Sequence, residues 1–567
     1  MYSGIAASEG VAIGKALVLK KLDAPPPEHL PAELIEAEIV RFAAAVAAAR
    51  DELTALAADV TAKVGADEGA IFEAHALLLA DDELRLGVEE KIRAGKTAVW
   101  SLQATLAAYR ELFAGLDDPY LRERAGDLDD LARRLTACLA GGAPAAAEAG
   151  EPVVVVAHEL TPSETARLDP AATLGFVTAT GGKTSHTAIM ARSMGIPAVL
   201  GVAGIAETVR DGDLIILDGG RGLVAVNPDP ATLDAYTARA AARTSPADDG
   251  PAVTRDGCRL ALWANIGRPA DVAQALRFGA EGIGLFRSEF LFMDRAALPD
   301  EQEQYAAYRQ VAEAVGGRPV IIRTLDIGGD KPLPALGQPG EANPFLGLRA
   351  IRLCFAHPAL FRTQLRAILR ASAHGDVRLM YPMIAAVGEI TRANALLAEC
   401  KAELAAGGLA HNSALPVGIM VEVPAVAAAA DIFARHSDFF SLGTNDLTQY
   451  ALAVDRMNET LGHLYQPLDP GVLRLISTVA AAARAAGKPA GICGELAADP
   501  VAAVLLLGLG LDELSASPAS LPAVRRLVRA VTLADARRLA NEALALDSAA
   551  AVRERVEAYL REIKFAI

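Results

Sequence analysis

The sequence predicts a multidomain α/β protein in which a small α/β domain, interrupted by an α-helical bundle, precedes a C-terminal (β/α)8 TIM barrel. Two observations predict this fold class. Eight short apolar runs, mostly separated by helical patterns, recur from residue 253 to the C-terminus, and repeated β-then-α units indicate a closed parallel barrel. A shorter series of apolar runs between residues 153 and 226 alternates with short helical stretches and indicates a second, smaller α/β domain.

A long helical segment separates the first strand-like run, Val11 to Leu19, from the other runs of the smaller domain. From about Pro31 to Ala140 the chain is rich in Ala, Leu, Glu and Arg, with apolar residues at helical spacing, which indicates a helical bundle. Because no other strand lies nearby, we expect Val11 to Leu19 to join the later sheet, so that the bundle is an insertion. The predicted domains are 1–28 with 144–228 (α/β), 29–143 (bundle), 229–252 (helical linker and hinge) and 253–567 (barrel).

Continuous apolar runs bounded by turn residues predict the individual strands. After the insertion, the predicted strands of the α/β domain are Val153 to Ala157, Leu174 to Thr178, Ala198 to Val202, Leu214 to Asp218 and Leu223 to Val226. The predicted barrel strands are Leu260 to Asn265, Gly282 to Phe286, Val320 to Leu325, Arg378 to Met383, Val417 to Glu422, Phe439 to Gly443, Pro489 to Cys493 and Glu513 to Ser515.

Composition and charge exclude several classes of protein. The 567 residues include 54 Lys and Arg against 70 Asp and Glu, and the resulting net charge of −16 argues against nucleic acid and anionic membranes as partners. No apolar stretch approaches the length of a membrane span, and we expect no signal peptide. The five cysteines are scattered without metal-ligand spacing, which is typical of free thiols in a reducing cytoplasm. We therefore expect a cytoplasmic protein.

The run from Gly181 to Thr187, GGKTSHT, lies between a predicted strand and a predicted helix. Its two glycines permit a sharp turn, and Thr184 or Ser185 can cap the helix that follows. His186 is then in the first helical turn, where free backbone N–H groups and the helix dipole favour an anion. An imidazole in this place can attack an incoming phosphoryl group. The alternative is a capped turn that carries a surface histidine.

Arginines mark the carboxyl ends of the predicted barrel strands, the rim at which chemistry takes place in such barrels. Arg287, Arg323 and Arg456 would suit a small substrate that has carboxylate and phosphate groups, because arginine binds either group bidentately. Arg349 and Lys331, in the loop and helix after the third strand, can add to this cluster. The alternative for each is a surface salt bridge, which is least plausible for Arg323 because apolar strand residues surround it.

Carboxylates and a thiol follow at the same rim. Glu422 closes the fifth predicted strand, and Asn445 and Asp446 follow the sixth. Glu422 and Asp446, completed by substrate phosphate and water, can bind Mg²⁺, although the two carboxylates can instead pair with the arginines. Cys493 closes the seventh strand between glycines that we expect to leave room for a ligand. A buried thiol is most often inert, but at this rim it can donate a proton.

The predicted bundle carries an acidic face. It is either a solvated surface, which is the commoner case, or a docking surface for a basic partner protein. The residues of this face are Asp67, Glu68, Glu73, Asp81, Asp82 and Glu83.

Two long motifs resemble the signatures of the phosphoenolpyruvate (PEP)-utilising enzymes. Gly181 to Arg192, GGKTSHTAIMAR, resembles the phosphohistidine signature of that family, and Asp438 to Tyr450, DFFSLGTNDLTQY, resembles its barrel signature. Further motifs appear in the same order, so the resemblance covers essentially the whole chain: SGIAASEGVAIGKAL, LTPSETA, GIGLFRSEFLFMDR, RTLDIGGDK and ICGELA. Within the family, the chain is most similar to the branch that phosphorylates a carrier protein, Enzyme I of the bacterial sugar phosphotransferase system.

The resemblance implies a swivelling phosphohistidine domain, a helical domain that docks the phosphocarrier protein HPr, and a TIM barrel that binds PEP. It implies transfer of the phosphoryl group from PEP to the chain and then to a histidine of HPr, release of pyruvate, and a homodimer through the barrel. At the level of residues it implies phosphorylation of His186 with Thr165 in contact, PEP binding by Arg287, Arg323, Asn445 and Arg456, Mg²⁺ binding by Glu422 and Asp446, and protonation of the enolate by Cys493.

Three alternatives compete with this function. A pyruvate phosphate dikinase or PEP synthase would share the histidine domain and the barrel but needs a nucleotide-binding domain, and the helical segment before Gly181 offers no glycine-rich nucleotide loop. A nitrogen-related paralogue of Enzyme I has an additional N-terminal sensory domain, whereas this chain begins in the SGIAASEG segment. A non-catalytic scaffold that only binds a carrier protein would not need the chemical residues, all of which are retained.

Overall fold

The computed structural model describes residues 1–8, 10–19, 29–63, 66–114, 125–139, 152–166, 168–169, 172–182, 187–188, 190–191, 196–234, 236–237, 250–293, 295, 297–329, 336, 341–458 and 460–565. The chain divides into two compact units, residues 1–241 and 242–567. Within the described ranges, no helix combines the length and the apolar character that crossing a lipid bilayer requires.

The first unit contains a bundle of long helices. They are α1 (Ile35–Lys63), α2 (Ala66–Leu78), α3 (Asp82–Arg93), α4 (Ala98–Ala114) and α5 (Ala125–Leu139). The helices pack around a buried apolar core that includes Phe42, Leu53 and Phe72. Helix α3 begins where the Asp81 side chain accepts a hydrogen bond from the N–H of Glu83 at 2.7 Å, because this N-cap satisfies a backbone donor at the open helix end.

The first unit also contains a mixed sheet of eight strands among the described residues. The strands are β1 (Tyr2–Ser3), β2 (Ile5–Ser8), β3 (Val11–Leu19), β4 (Val153–Ala157), β5 (Thr173–Thr178), β6 (Ala198–Leu200), β7 (Leu214–Asp218) and β8 (Leu223–Val226). They lie in the order β1-β8-β7-β3-β4-β5-β6-β2. Strand β3 pairs in parallel with β4, with Lys15 opposite Val153, so the predicted pairing of Val11–Leu19 with the later strands is confirmed, and the bundle is inserted between β3 and β4.

The remaining elements of this unit are short. Among the described residues they include α6 (Pro162–Ala166), α7 (Ile205–Thr208) and a 3₁₀ helix at Ala32–Leu34. Sequence analysis missed β1 and β2, because both are short edge strands without a continuous apolar run. Residues 230–234 and 236–237 are helical, as predicted for the linker. Most of the predicted hinge, residues 244–249, lies outside the described residues, and the domain boundaries stay predictions.

The second unit is a closed barrel of eight parallel strands, as the sequence predicts. The strands are β10 (Arg259–Ile266), β11 (Ile283–Arg287), β12 (Val320–Arg323), β13 (Val377–Tyr381), β14 (Val417–Val421), β15 (Phe440–Leu442), β16 (Ala490–Ile492) and β17 (Glu513–Ala516). Strand β10 pairs with both β11 and β17, which closes the barrel, and a short strand β9 (Ala252–Val253) adds an antiparallel pair to β10. All eight predicted barrel strands are confirmed, with ends that differ by at most two residues.

Helices surround the barrel strands and follow them along the chain. They are α8 (Asp271–Arg277), α9 (Glu301–Ala314), α10 (Ala350–Ala356), α11 (Pro358–Ala371), α12 (Val387–Ala406), α13 (Pro424–Ala428), α14 (Ala430–Phe433), α15 (Thr444–Leu452), α16 (Pro470–Ala485), α17 (Pro500–Leu509), α18 (Leu521–Ala530), α19 (Leu533–Ala543) and α20 (Ala549–Glu562). Short 3₁₀ helices are found at Ala32–Leu34, Ser288–Leu291, Pro344–Leu346, Gly462–Leu464, Glu495–Ala498 and Pro518–Ser520.

Side chains of alternate strand residues fill the barrel interior. The interior cluster comprises Leu285, Ile321, Met380, Met420, Phe439 and Cys493, with Trp263 packed against it. Because side chains on a strand alternate between its two faces, Arg323 lies one layer above Ile321, and Glu422 one layer above Met420. The two-residue period therefore brings these polar side chains to the carboxyl-end rim of a packed barrel.

The interior tolerates no additional methyl group at Gly418 of β14. A β-carbon at this position would lie 2.4 Å from the Phe439 ring, so we expect Gly418→Ala to destabilise the barrel by about 1–3 kcal/mol through overpacking. Gly388 in α12 is the matched control, because a β-carbon there meets no atom within 4 Å. Urea unfolding of both variants measures the difference. Equal midpoints for the two alanine variants would contradict this description of the interior.

Candidate active site

A network of buried charged groups connects the ends of several barrel strands. Arg349, at the N-terminus of α10, is 1% exposed and is the centre of this network. Its guanidinium donates to Asp446 Oδ1 at 2.9 Å, to Asp326 Oδ1 at 3.1 Å and to the Tyr450 hydroxyl at 3.1 Å. Burial opposes the charged form, but Asp326 and Asp446 outweigh it and raise the pKa of Arg349. The guanidinium therefore stays charged inside the protein.

Arg323 ends β12 and extends the same network. Its guanidinium is 2.8 Å from Asp326 Oδ2 and 2.5 Å from Glu289 Oε1. Burial opposes its charge, and Asp326 and Glu289 raise its pKa in spite of this. The sequence-based argument that a charge inside an apolar strand needs a strong partner is therefore correct: Arg323 has two buried carboxylates. The alternative prediction, that Arg323 forms a surface salt bridge, is wrong.

Glu422 directly follows β14 and is 1% exposed. Its Oε1 accepts the N–H of Met383 at 2.5 Å, whereas its Oε2 is buried with no hydrogen-bond partner among the described residues. Burial, followed by the charges of Asp446 and Asp326, raises the pKa of Glu422. A buried carboxylate oxygen without a donor lacks a positive partner, and a cation would supply one.

Asp446 lies in the first turn of α15, where the helix dipole favours a negative charge, and its charge acts on Glu422. It pairs with Arg349 and, at 3.4 Å, with Arg456, so pairing with arginine does occur. Within the ranges that the structure covers, no group of three or more His, Cys, Asp or Glu residues is arranged to hold a metal. Glu422 and Asp446 fit Mg²⁺ nonetheless, because this ion usually takes one or two carboxylates and completes its shell with water and substrate phosphate.

The other substrate-binding candidates border the same rim. Arg287 ends β11, is half-buried, and has no ion pair within the described part of the chain, so its guanidinium is available to an anion. The Asn445 side chain exchanges two hydrogen bonds with Glu495, at 3.2 and 3.1 Å. The Arg456 guanidinium lies over the Phe345 ring at 5.6 Å, as does that of Arg349. Arg287 is thus available to an anion, whereas Arg349 and Arg456 contact carboxylates and the Phe345 ring.

Two non-glycine residues beside the site have positive φ angles. Met383, whose N–H donates to Glu422, has φ = 53°, and Ala350, which follows Arg349, has φ = 50°. This conformation is unfavourable for residues with a β-carbon and is typical of sites where the surrounding structure positions a functional group. Met383 holds its N–H against Glu422, and Ala350 follows the Arg349 whose side chain is the centre of the network.

Cys493 directly follows β16, is 3% exposed, and directs its thiol to the carbonyl oxygen of Leu442 at 3.7 Å. Burial raises its pKa to about 12, so the group is a thiol at neutral pH and can donate a proton. The prediction that the glycines beside Cys493 leave room for a ligand is wrong. A β-carbon on Gly491 or on Gly494 would collide with Glu513 or Thr444, respectively, so protein side chains fill both spaces.

Two predicted site residues, His186 and Lys331, lie outside the described residues. Thr165, in α6 of the first unit, is fully buried, and its hydroxyl donates to the carbonyl oxygen of Thr161 at 2.9 Å. Nearby, the hydroxyl of Thr187 donates to the carbonyl oxygen of Leu160 at 3.0 Å, which places the residue after His186 against the turn that leads to Thr165.

Sequence reasoning missed three residues of the site. Glu289 and Asp326 hold Arg323, and Asn265 donates to the carbonyl oxygen of Cys493 at 2.9 Å. Glu289 and Asp326 follow the ends of β11 and β12 by two and three residues, so a search for every carboxylate within a few residues of a barrel strand end could have found them. Asn265 ends the first predicted barrel strand, so the same search, extended to amide side chains, could have found it.

Comparisons with known proteins find similarity to the PEP-utilising enzymes along nearly the whole chain. Residues 3–124, 149–222 and 241–533 match models of the N-terminal, mobile and PEP-binding domains of the PEP-utilising enzymes. The chain is 47% identical over 554 residues to the phosphoenolpyruvate-protein phosphotransferase of Bacillus sp. (strain S), covering 96% of each chain. It is 45% identical over 567 residues to the protein of the same name from Listeria innocua serovar 6a, covering 99% of each. An NMR structure of an Enzyme I (nEIt) protein is 39% identical, with a TM-score of 0.36, and covers 42% of this chain and 98% of that chain.

Removal of the central arginine should destabilise the barrel. In Arg349→Met, Asp326 and Asp446 lose their buried partner, and we expect a loss of about 3–5 kcal/mol in the free energy of unfolding. The control is Arg538→Met, whose ion pairs are solvent-exposed and contribute at most about 1 kcal/mol. Urea unfolding followed by circular dichroism compares the two, and a smaller loss for Arg349→Met than for Arg538→Met would refute the role of the network.

The thiol of Cys493 should react slowly with alkylating reagents. Because its pKa is raised to about 12, the thiolate fraction stays small throughout pH 7–9 in the folded protein. Mass spectrometry of peptides after timed iodoacetamide treatment measures the labelling of each cysteine. The half-buried Cys258 is the internal comparison, and unfolding in urea should make both thiols react. Rapid labelling of Cys493 at pH 7 would show that its thiol is not held as described.

Proposed function

Because the chain belongs to the PEP-utilising enzymes, and within them to the phosphoenolpyruvate–protein phosphotransferases, we propose that its barrel rim binds PEP and delivers the phosphoryl group to His186. The observation that carries this proposal is the buried network at the rim. Arg323 and Arg349 hold fixed positive charge there, and Glu422 keeps one oxygen without a hydrogen bond. A small dianionic or trianionic substrate with a divalent cation matches this combination of charges.

The arginines bind and orient the substrate. Arg287 is free of ion pairs within the described chain and can take a phosphate or carboxylate group bidentately, together with Arg323, Arg456 and Asn445. Positive charge fixed in advance stabilises the negative charge that develops during in-line transfer to the imidazole Nε2 of His186. We assign further binding contributions to Arg349, Asp446 and Lys331, and a contact with His186 to Thr165.

Enzymes of this family generally depend on Mg²⁺. In this chain Glu422 and Asp446 would hold the ion. When bound, Mg²⁺ supplies a Lewis acid that neutralises negative charge on the phosphate and on the enolate oxygen.

Loss of the phosphoryl group leaves the enolate of pyruvate. Cys493 then gives its thiol proton to carbon 3 of the enolate, and pyruvate is released. Support for this role comes from the raised pKa of the thiol and from its position directly after β16, at the carboxyl end of the strand.

The second half-reaction moves the phosphoryl group from His186 to a histidine of the phosphocarrier HPr, the first step of a sugar phosphotransferase system. The helical insertion, residues 29–143, would dock HPr, and its described acidic residues Glu73 and Asp81 to Glu83 are exposed. One imidazole then has to meet two partners, which requires a swivelling phosphohistidine domain (1–28 with 144–228) and a hinge within 229–252. We also propose a homodimer through the barrel, residues 253–567, and a cytoplasmic location.

Phosphoryl transfer from labelled PEP tests this function. With Mg²⁺, we expect acid-labile label on His186 and onward transfer to purified HPr, and no label in His186→Ala, because the acceptor nitrogen is gone. Cys493→Ser should mainly lose pyruvate turnover, because a hydroxyl is a far weaker acid than a thiol. Normal transfer by His186→Ala would refute the proposal, and labelling that requires a nucleotide would favour a dikinase or PEP synthase.

A further inference from the structure

A neutral amide is buried in the helical layer behind the strand ends of the site. Gln364 lies on α11 and is 1% exposed. The other buried side chains of this helix are all apolar. Burial of an amide is unfavourable unless its polar atoms have hydrogen-bond partners, so the partners of Gln364 indicate what it does.

Both polar atoms of the Gln364 amide have partners. Its Oε1 accepts the N–H of Leu325 at 2.8 Å. Its Nε2 donates to Ser288 Oγ at 3.0 Å and to the Tyr308 hydroxyl at 3.2 Å. A backbone N–H can only donate, so the amide oxygen has to face Leu325, and the orientation of the whole amide is fixed.

Through Ser288, the amide reaches the ends of two neighbouring strands. Ser288 Oγ donates to the carbonyl oxygen of Arg323, the last residue of β12, at 2.7 Å. Ser288 also lies between Arg287, which ends β11, and Glu289, which pairs with Arg323. One buried hydroxyl therefore joins the turn after β11 to the end of β12.

Through Leu325, the amide holds the loop after β12. The hydrogen bond from Leu325 to Gln364 fixes the backbone one residue before Asp326. The Asp326 carboxylate pairs with Arg323 at 2.8 Å and with Arg349 at 3.1 Å. Because the backbone sets where this carboxylate lies, a shift of the loop would move it relative to both guanidinium groups.

We propose that Gln364 is a positioning residue for the substrate-binding rim, whose amide sets the geometry of the Arg323 guanidinium through the Leu325 backbone and the Ser288 hydroxyl. This inference rests on the function proposed above and adds a residue to it. Gln364 acts through Arg323, and the position of that positive charge decides how well the transferring phosphoryl group is stabilised.

The same network has a second arm that supplies a matched control. The Tyr308 hydroxyl, on α9, accepts from Gln364 and donates to Gln304 Oε1 at 3.3 Å, and both of these side chains of α9 are fully buried. Tyr308→Phe removes a buried hydroxyl from the network, whereas Gln364 keeps its bonds to Leu325 and Ser288. The control therefore has a similar structural cost and leaves the loop after β12 attached.

Steady-state kinetics of the full chain with PEP, Mg²⁺ and purified HPr test the inference in Gln364→Met, which keeps nearly the size of the side chain and removes its hydrogen bonds. We expect kcat/KM for PEP to fall by roughly 10- to 100-fold, mainly through a higher KM, because a small displacement of a substrate-binding group is costly. The KM for HPr should not change. Ser288→Ala should resemble Gln364→Met, and Ser288→Thr, which retains the hydroxyl, should restore most of the loss. Tyr308→Phe should keep the wild-type KM for PEP.

The KM for PEP separates positioning from a loss of stability. A protein that is only less stable has fewer active molecules, which lowers kcat and leaves this KM unchanged. That result for Gln364→Met would overturn the proposal, as would an equal rise of the KM in Tyr308→Phe. If Gln364→Met does not fold, the Ser288 pair decides, and a wild-type KM for PEP in Ser288→Ala would overturn the proposal. Absence of labelled His186 in the wild type would instead reject the proposed function itself.

Discussion

The bond between Arg349 and its two carboxylates is the constraint on which the rim depends. One guanidinium joins Asp326, which follows β12, to Asp446, which follows β15, in a place where water is largely excluded. The charges of Arg323, Arg349, Asp326 and Asp446 can stay buried there because each has an opposite charge at hydrogen-bond distance. The network therefore fixes the relative positions of strands that are far apart in sequence, and it fixes the charges with which a small anionic substrate would interact.

Alternation along the strands distributes chemistry through the depth of the barrel. Arg323 lies one layer above Ile321, Glu422 one layer above Met420, and Cys493 one layer above Gly491, the register partner of Glu513. Burial raises the pKa values of Glu422, Cys493 and Glu513. The buried arginines remain charged because their carboxylate partners outweigh the desolvation.

Much of this could be predicted from the sequence. The eight apolar runs predicted the barrel, and the position of each polar residue just after a run predicted which side chains meet at the rim, because parallel strands in a closed barrel all end on one side. The strand Val11–Leu19, isolated by a helical segment, predicted the insertion. Glu289, Asp326 and Asn265 were missed because their roles are to hold other site residues, and such roles depend on distances across the barrel.

The sequence alone determined the order of elements, the barrel and several of the ionisable residues near its rim, because these follow from periodicity and from local turn chemistry. Only the tertiary structure decided which arginines are paired, which carboxylate oxygen is left without a donor, and that the glycines beside Cys493 make room for Glu513 and Thr444 instead of a ligand. The physical reason is that pairing energies and pKa values depend on burial and on contacts between residues far apart in sequence, such as Arg349 and Asp446, 97 positions apart, and no local pattern encodes those distances.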